Sequence, residues 1–173
     1  MTQHHSNSIE RLPTSVSVIT DVFFYLIKLY SHNSQAIFGT TVNGHLEFTS
    51  IGRIATDEWV RSAYAYSGIE LDEWLIMPNH LEGIVSIREP LNTQGYTFQS
   101  SKPRSLSSFV ASYKAAAAKR INLLRNAPGS SVWQRGYQER LIPDETILDR
   151  TRQSISRQNS INLQNYHDWQ RRP

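Results

Sequence analysis

Apolar and polar positions repeat with two different periods along this chain, and each change of period marks a new element. Val22 to Tyr30 is a bulky, β-branched run that predicts a buried strand, followed by a turn at Ser31 to Ser34. Ile37 to Val42 and His45 to Thr49 flank Asn43-Gly44, a dipeptide suited to a tight type I′ hairpin because both residues accept positive φ. From Ser50 to about Tyr66, apolar residues fall at Ile51, Ile54, Ala55, Trp59, Val60 and Ala63, the spacing of a helix with one buried face. Two strands, Ile69 to Met77 and Leu81 to Ile87, follow around the turn at Pro78-Asn79. Glu89 to Pro103 has little periodicity and predicts a mobile loop.

The second half turns helical. Ser105 is placed to cap a helix running to about Arg125, with Leu106, Phe109, Val110, Tyr113, Ala117, Ile121 and Leu124 facing inward. Lys114, Lys119 and Arg120 fall on its flanks or outside. Pro128-Gly129 breaks the chain before an extended segment from Val132 to Ile142, and Asp144 caps a late helix through about Arg157. No internal repeat is visible. This order predicts an α+β protein: a ferredoxin-like antiparallel sheet covered on one face by helices. One domain is expected over 15–165, after a polar segment at 1–14 expected to be disordered, with an irregular tail at 166–173.

Composition narrows the class. The 173 residues contain 39% hydrophobic residues and no cysteine, which permits one core and excludes disulfides and thiolate metal sites. The longest apolar run, VFFYLI, is too short to span a bilayer, and MTQHHSNSIE has no signal-peptide pattern, so a cytoplasmic protein is expected. The net charge of +3 hides an asymmetry: from Lys102 onward thirteen Lys and Arg face five Asp and Glu, whereas the first 101 residues hold five against ten. A basic half of this kind attracts phosphates, although a generally solvated basic surface has the same composition. Trp133, Tyr137, Tyr166 and Trp169 add aromatic faces suited to unpaired bases or, equally, to a core.

The candidate chemistry lies in WLIMPNHLEGIVSI, Trp74 to Ile87, where His80 and Glu82 stand two residues apart at the opening of an apolar run. In a strand both point the same way. A neutral imidazole beside a carboxylate can hold a divalent cation, with Mg or Mn favoured over Zn at an oxygen-rich site. The same pair also suits a turn histidine followed by an exposed strand carboxylate.

The string MPNHLEG resembles the MPNH-hydrophobic-HG signature of the single-tyrosine HUH transposases, in particular the branch of REP-associated tyrosine transposases. FFYLIKLYSHNSQAIFG resembles that branch's first strand and His-Asn turn, PRSLSSFVASYKAAAAKRIN its long helix, and VWQRGYQERLIPDE its Trp-Gln-Arg segment. The matches run in family order from about Asp21 to about Asn162. The resemblance implies a metal held by two histidines. Here His80 matches the first, and Glu82 stands at the second.

The family's nucleophile is a tyrosine on a late helix. Counting forward from VWQRGYQERLIPDE places it at Ser154, and counting back from NSIN places it at Ile155. Neither is a tyrosine, and a serine has a shorter reach and a higher pKa than a phenol. Tyr113 and Tyr137 lie in family segments that do not hold the nucleophile, and Tyr166 falls in the expected irregular tail. A metal-site glutamine four residues after the tyrosine corresponds to Gln158, one helical turn from Ser154.

The resemblance implies binding of single-stranded or hairpin DNA by a homodimer with impaired nicking and strand transfer. His80, Glu82 and Gln158 would hold Mg or Mn, and Lys114, Arg120, Arg135 and Arg140 would contact the DNA backbone. Joining two sheet edges would also satisfy exposed strand groups. Two other functions fit the same residues. One is an active metal-dependent nickase using Ser154 or water, and the other is a dimeric regulator without catalysis.

Overall fold

The computed structural model describes residues 20–42, 45–90 and 104–169. The expected disordered segment, the Asn43-Gly44 turn, most of the Glu89 to Pro103 loop and the last four residues lie outside them. Among the described residues six strands form, β1 (Thr20–Tyr30), β2 (Gly39–Val42), β3 (His45–Phe48), β4 (Ile69–Met77), β5 (His80–Pro90) and β6 (Gln138–Ile142). With them are three helices, α1 (Ser50–Tyr64), α2 (Arg104–Leu124) and α3 (Glu145–Trp169). The main sheet is antiparallel in the order β4-β5-β1-β6, and β2 and β3 pair as a separate ribbon with Val42 opposite His45. The α+β class with an antiparallel sheet is therefore the observed one.

Alternation along β1 and β5 sends apolar side chains to both sides of the sheet. Ile27, Leu29, Leu81, Val85 and Ile87 join Ile76 on β4 and pack on α1 and α2. Phe24, Leu26, Ile84, Leu75 and Met77 point the other way and pack on Ile147, Leu148 and Ile155 of α3, together with Ile142. Helices thus cover both faces, which corrects the expectation of one covered face. The cause is that neither face of β1 is polar along its whole length, so each needs its own apolar lid.

The α1 and α2 side is the larger core. Trp59, Phe109 and Tyr113 cluster with ring centroids 5.0 and 5.1 Å from Trp59, and Trp133 adds a ring 5.4 Å from Tyr113 and 5.1 Å from Phe38. Such tilted and edge-on rings gain from their quadrupoles as well as from burial. Thr49 caps α1, its Oγ1 accepting from the Gly52 amide at 3.1 Å and donating to the Ile37 carbonyl at 2.6 Å. Gly52 is needed there, because a Cβ would overlap the Phe38 carbonyl oxygen.

Three boundaries differ from the sequence expectation. Ser105 lies inside α2, which already begins at Arg104, so it is not the cap. Leu124 closes α2 half-exposed instead of facing inward, because the chain leaves the helix just afterwards through Asn126, whose φ is 51°. Asp144 does cap α3, its Oδ1 accepting from the Ile147 amide at 2.9 Å, but the helix continues past Arg157 to Trp169. The polar composition of that last stretch hid its helicity, since no apolar stripe marks it.

Candidate functional site

On the α3 side of the sheet the apolar stripe stops abruptly. Moving along β1 from Phe24 and Leu26, the next side chains on that face are Lys28 and Tyr30, and their β5 partners are Glu82 and His80. Gln138 of β6 stands opposite Lys28, and Leu75 and Met77 of β4 stand opposite Glu82 and His80. A row Gln138, Lys28, Glu82, Leu75 therefore crosses all four strands. As the sequence spacing requires, His80 and Glu82 share a face.

Lys28 Nζ lies 2.8 Å from Glu82 Oε2. His80 Nε2 approaches the same oxygen at 3.8 Å, beyond hydrogen-bonding reach, so Lys28 is the bonded partner. Burial pushes the Glu82 carboxyl up, but His80 and Lys28 beside it outweigh that, and the group sits below its ordinary value. His80 is held in place from two sides. Its ring stacks at 5.1 Å on Tyr30, and its Nδ1 lies 2.8 Å from Asn79 Oδ1. With that oxygen as acceptor, Nδ1 donates and Nε2 is the ring nitrogen turned toward Glu82.

Helix α3 roofs this polar end and makes a groove of about 590 Å³ lined by Lys28, Glu82, Gln138, Glu139, Arg140 and, from α3, Arg150, Thr151 and Ser154. Of the two candidate tyrosine positions, Ile155 is 2% exposed in the core, while Ser154 is exposed and brings its hydroxyl to the groove. The helix is fastened over the sheet by Arg152. This guanidinium makes a forked contact with Asp72 of β4, Nη2 to Oδ2 at 2.6 Å and Nε to Oδ1 at 3.0 Å, and lies over the Phe24 ring. Burial raises the Asp72 carboxyl, and the Arg152 bonds and the Glu73 amide outweigh it, so this group too lies below its ordinary value. Asp72 follows Leu71 of the larger core and so faces α3, at the point where the register of β4 against β5 shifts between Leu71 and Trp74. A further bond runs from Asn159 Nδ2 to the Trp74 carbonyl at 3.1 Å.

The remaining candidates separate. Gln158 lines a shallower depression of about 430 Å³ on α3 itself, with Arg150, Gln153, Ser154 and Arg157, and not the groove that holds Glu82. Arg140 lines the groove and is exposed. Arg135 is exposed in the segment before β6. Lys114 and Arg120 belong to α2, on the opposite side of the sheet. Lys114 Nζ donates to the carbonyls of Gln134, Arg135 and Gly136 at 2.6, 3.3 and 3.2 Å, and burial lowers its pKa. Arg120 Nη1 lies 2.6 Å from Glu58 Oε1 and ties α2 to α1. Trp133 is core, its Nε1 donating to the Lys114 carbonyl at 3.2 Å, so it offers no open face for a base.

The described residues do not fit a divalent cation. His80 Nε2 and Glu82 Oε2 are two suitable donors, but an ammonium already sits on that oxygen. Gln158 lies in the other depression, and among the described residues no group of three or more His, Asp or Glu gathers. Sequence reasoning missed Lys28, Arg150 and Arg152. A signal existed for Lys28, the single charge within the bulky run Val22 to Tyr30, which requires a partner on a neighbouring strand.

No family model matches the chain. A Haemophilus influenzae relative, described as an uncharacterized protein, is 29% identical over 131 residues, which is 70% of this chain and 72% of the relative. Among solved structures, a candidate transposase from Deinococcus radiodurans is similar with a TM-score of 0.44 and 17% identity, over 80% of this chain and 92% of that one. A REP-associated tyrosine transposase bound to a REP hairpin is similar with a TM-score of 0.44 and 13% identity, over 90% of this chain and 70% of that one.

Proposed function

We propose that this chain is a transposase-related protein that binds single-stranded or hairpin DNA and has lost nicking and strand transfer. The observation that carries this reading is the groove under α3, where the resemblance calls for a tyrosine and the chain presents Ser154 beside Lys28, Arg140 and Arg150. A phosphate is the ligand whose charge this lining complements. Transesterification by such enzymes makes a phosphotyrosine link, and the short, weakly acidic serine hydroxyl is poorly suited to replace the phenol. The reading includes a homodimer, for which the edge strands β4 and β6 supply unpaired backbone groups. No helix among the described residues is long and apolar enough to cross a membrane.

The test is incubation of labelled single-stranded and hairpin DNA with the protein in Mg or Mn, with His80→Ala as control and a denaturing gel to reveal covalent adducts. Binding without cleavage or adduct is the expected result. Metal-dependent cleavage that disappears in the His80 variant would overturn the loss of nicking. An absence of binding to either DNA would remove the DNA-binding reading itself.

A further inference from the structure

We propose that the Lys28 ammonium stands where a divalent cation would act, so that the groove takes a phosphodiester without metal. This inference deepens the DNA-binding reading and rests on it. Lys28 sits on Glu82 at 2.8 Å and lines the groove with about a third of its side chain exposed. The pairing is fixed by strand register, since Lys28 and Glu82 are direct cross-strand neighbours on one face. An ammonium has three donors. One satisfies Glu82, which leaves the others for an anion in the groove.

The rest of the lining completes the charge. Arg140 and Arg150 line the groove and are exposed, and their side chains make no hydrogen bond or ion pair among the described residues. Against Lys28, Arg140 and Arg150 stands one carboxylate on this face of the sheet, Glu82; Glu139 pairs with Ile27, faces the α1 and α2 side and bonds Tyr137 there, so cations are in excess around the groove. The Ser154 hydroxyl adds a donor beside them. For a divalent cation to bind His80 Nε2 and Glu82 Oε2, it would first have to displace Lys28 from that oxygen, and the two like charges would repel.

Two readouts test this on the full chain. Mn(II) titration, followed by the electron paramagnetic resonance of the free ion, is expected to show no tight site in the natural protein. Lys28→Met should gain a site at least tenfold tighter, and adding His80→Ala should remove it. Fluorescence anisotropy with a labelled mixed-sequence single strand is expected to give the same Kd with and without EDTA. Lys28→Met should weaken that Kd about tenfold, the loss of one charge-assisted contact. Lys28→Arg, which keeps the charge, should retain DNA binding and exclude Mn, and Lys28→Gln replaces the Met variant if circular dichroism shows that it misfolds.

Stoichiometric Mn binding by the natural protein would overturn the role of Lys28, as would DNA binding abolished by EDTA. Either result leaves DNA binding itself standing. Absence of DNA binding with and without Mn would sink the DNA-binding reading and the phosphodiester ligand with it.

Discussion

The two faces of the main sheet are built from the same strands with the same alternation, yet they end differently. Toward α1 and α2 the apolar positions continue along β1 and β5 and close over Trp59, Phe109, Tyr113 and Trp133. Toward α3 the core stops after Leu26 and Ile84, and the next cross-strand pair is Lys28 with Glu82. A single step along two strands converts core into polar groove. The lesson is that the larger core lies on one side of the sheet and the groove proposed to bind DNA opens on the other, so substitutions at the sealed core and at the groove rim should have separable effects.

The largest effect should come from the sealed face. Trp59→Ala removes a fully buried ring against Phe109 and Tyr113 and is expected to cost about 3–5 kcal/mol in urea unfolding. Trp59→Phe sharpens the point. It keeps a ring and removes an Nε1 that has no hydrogen-bond partner among the described residues, so its cost should be clearly smaller than that of Trp59→Ala.

A middle effect is expected at the fastening of α3. Asp72→Asn weakens the forked contact with Arg152 and should cost roughly 1.5–3 kcal/mol, read by the same unfolding experiment. The sign of its pH dependence follows from the carboxyl lying below its ordinary value. A depressed acid contributes stability that is full above the unfolded-state pKa, about 3.9 for Asp, and is lost as pH falls through the lower folded value. Glu82 lies below its ordinary value as well, so acid should loosen the α3 face through both groups. The acid limb of a stability-against-pH curve should flatten in Asp72→Asn. An unchanged limb would show that Asp72 does not govern it.

The smallest stability effects and a clear binding effect should appear at the rim. Arg140→Ala and Arg150→Ala remove exposed side chains with no partners among the described residues, and each should change stability by less than about 0.5 kcal/mol. Each should weaken oligonucleotide binding and lower the slope of log Kd against log salt by about one. Arg120→Ala, across the sheet, is the contrast: it leaves the buried Glu58 with only the longer, 3.6 Å contact to Arg61 and should move stability, while leaving the salt slope alone. A change of slope in Arg120→Ala would break the division between the two faces.

Local order was legible where it depended on nearby residues. The strands Ile69 to Met77 and Leu81 to Ile87, the β2–β3 pairing with Val42 opposite His45, and the inner face of α2 from Leu106 to Ile121 follow from the spacing of apolar positions. So does the shared face of His80 and Glu82. What escaped depended on registers between distant segments. Lys28 meets Glu82 only because β1 pairs with β5 in one register, and Asp72 meets Arg152 because α3, distant in sequence, packs over β4. Lys114 and Arg120 looked like surface cations by helical position, and their acceptors lie on segments that helical spacing does not specify.

The fastening of α3 has a consequence for dose. Because Arg152 and Asn159 secure the helix to Asp72 and Trp74 of its own chain, every copy carries an entire groove. Association between copies then changes how many grooves travel together and leaves each one whole. Occupancy per chain should stay constant on dilution through any oligomer equilibrium, while avidity for a ligand that spans two grooves should fall away.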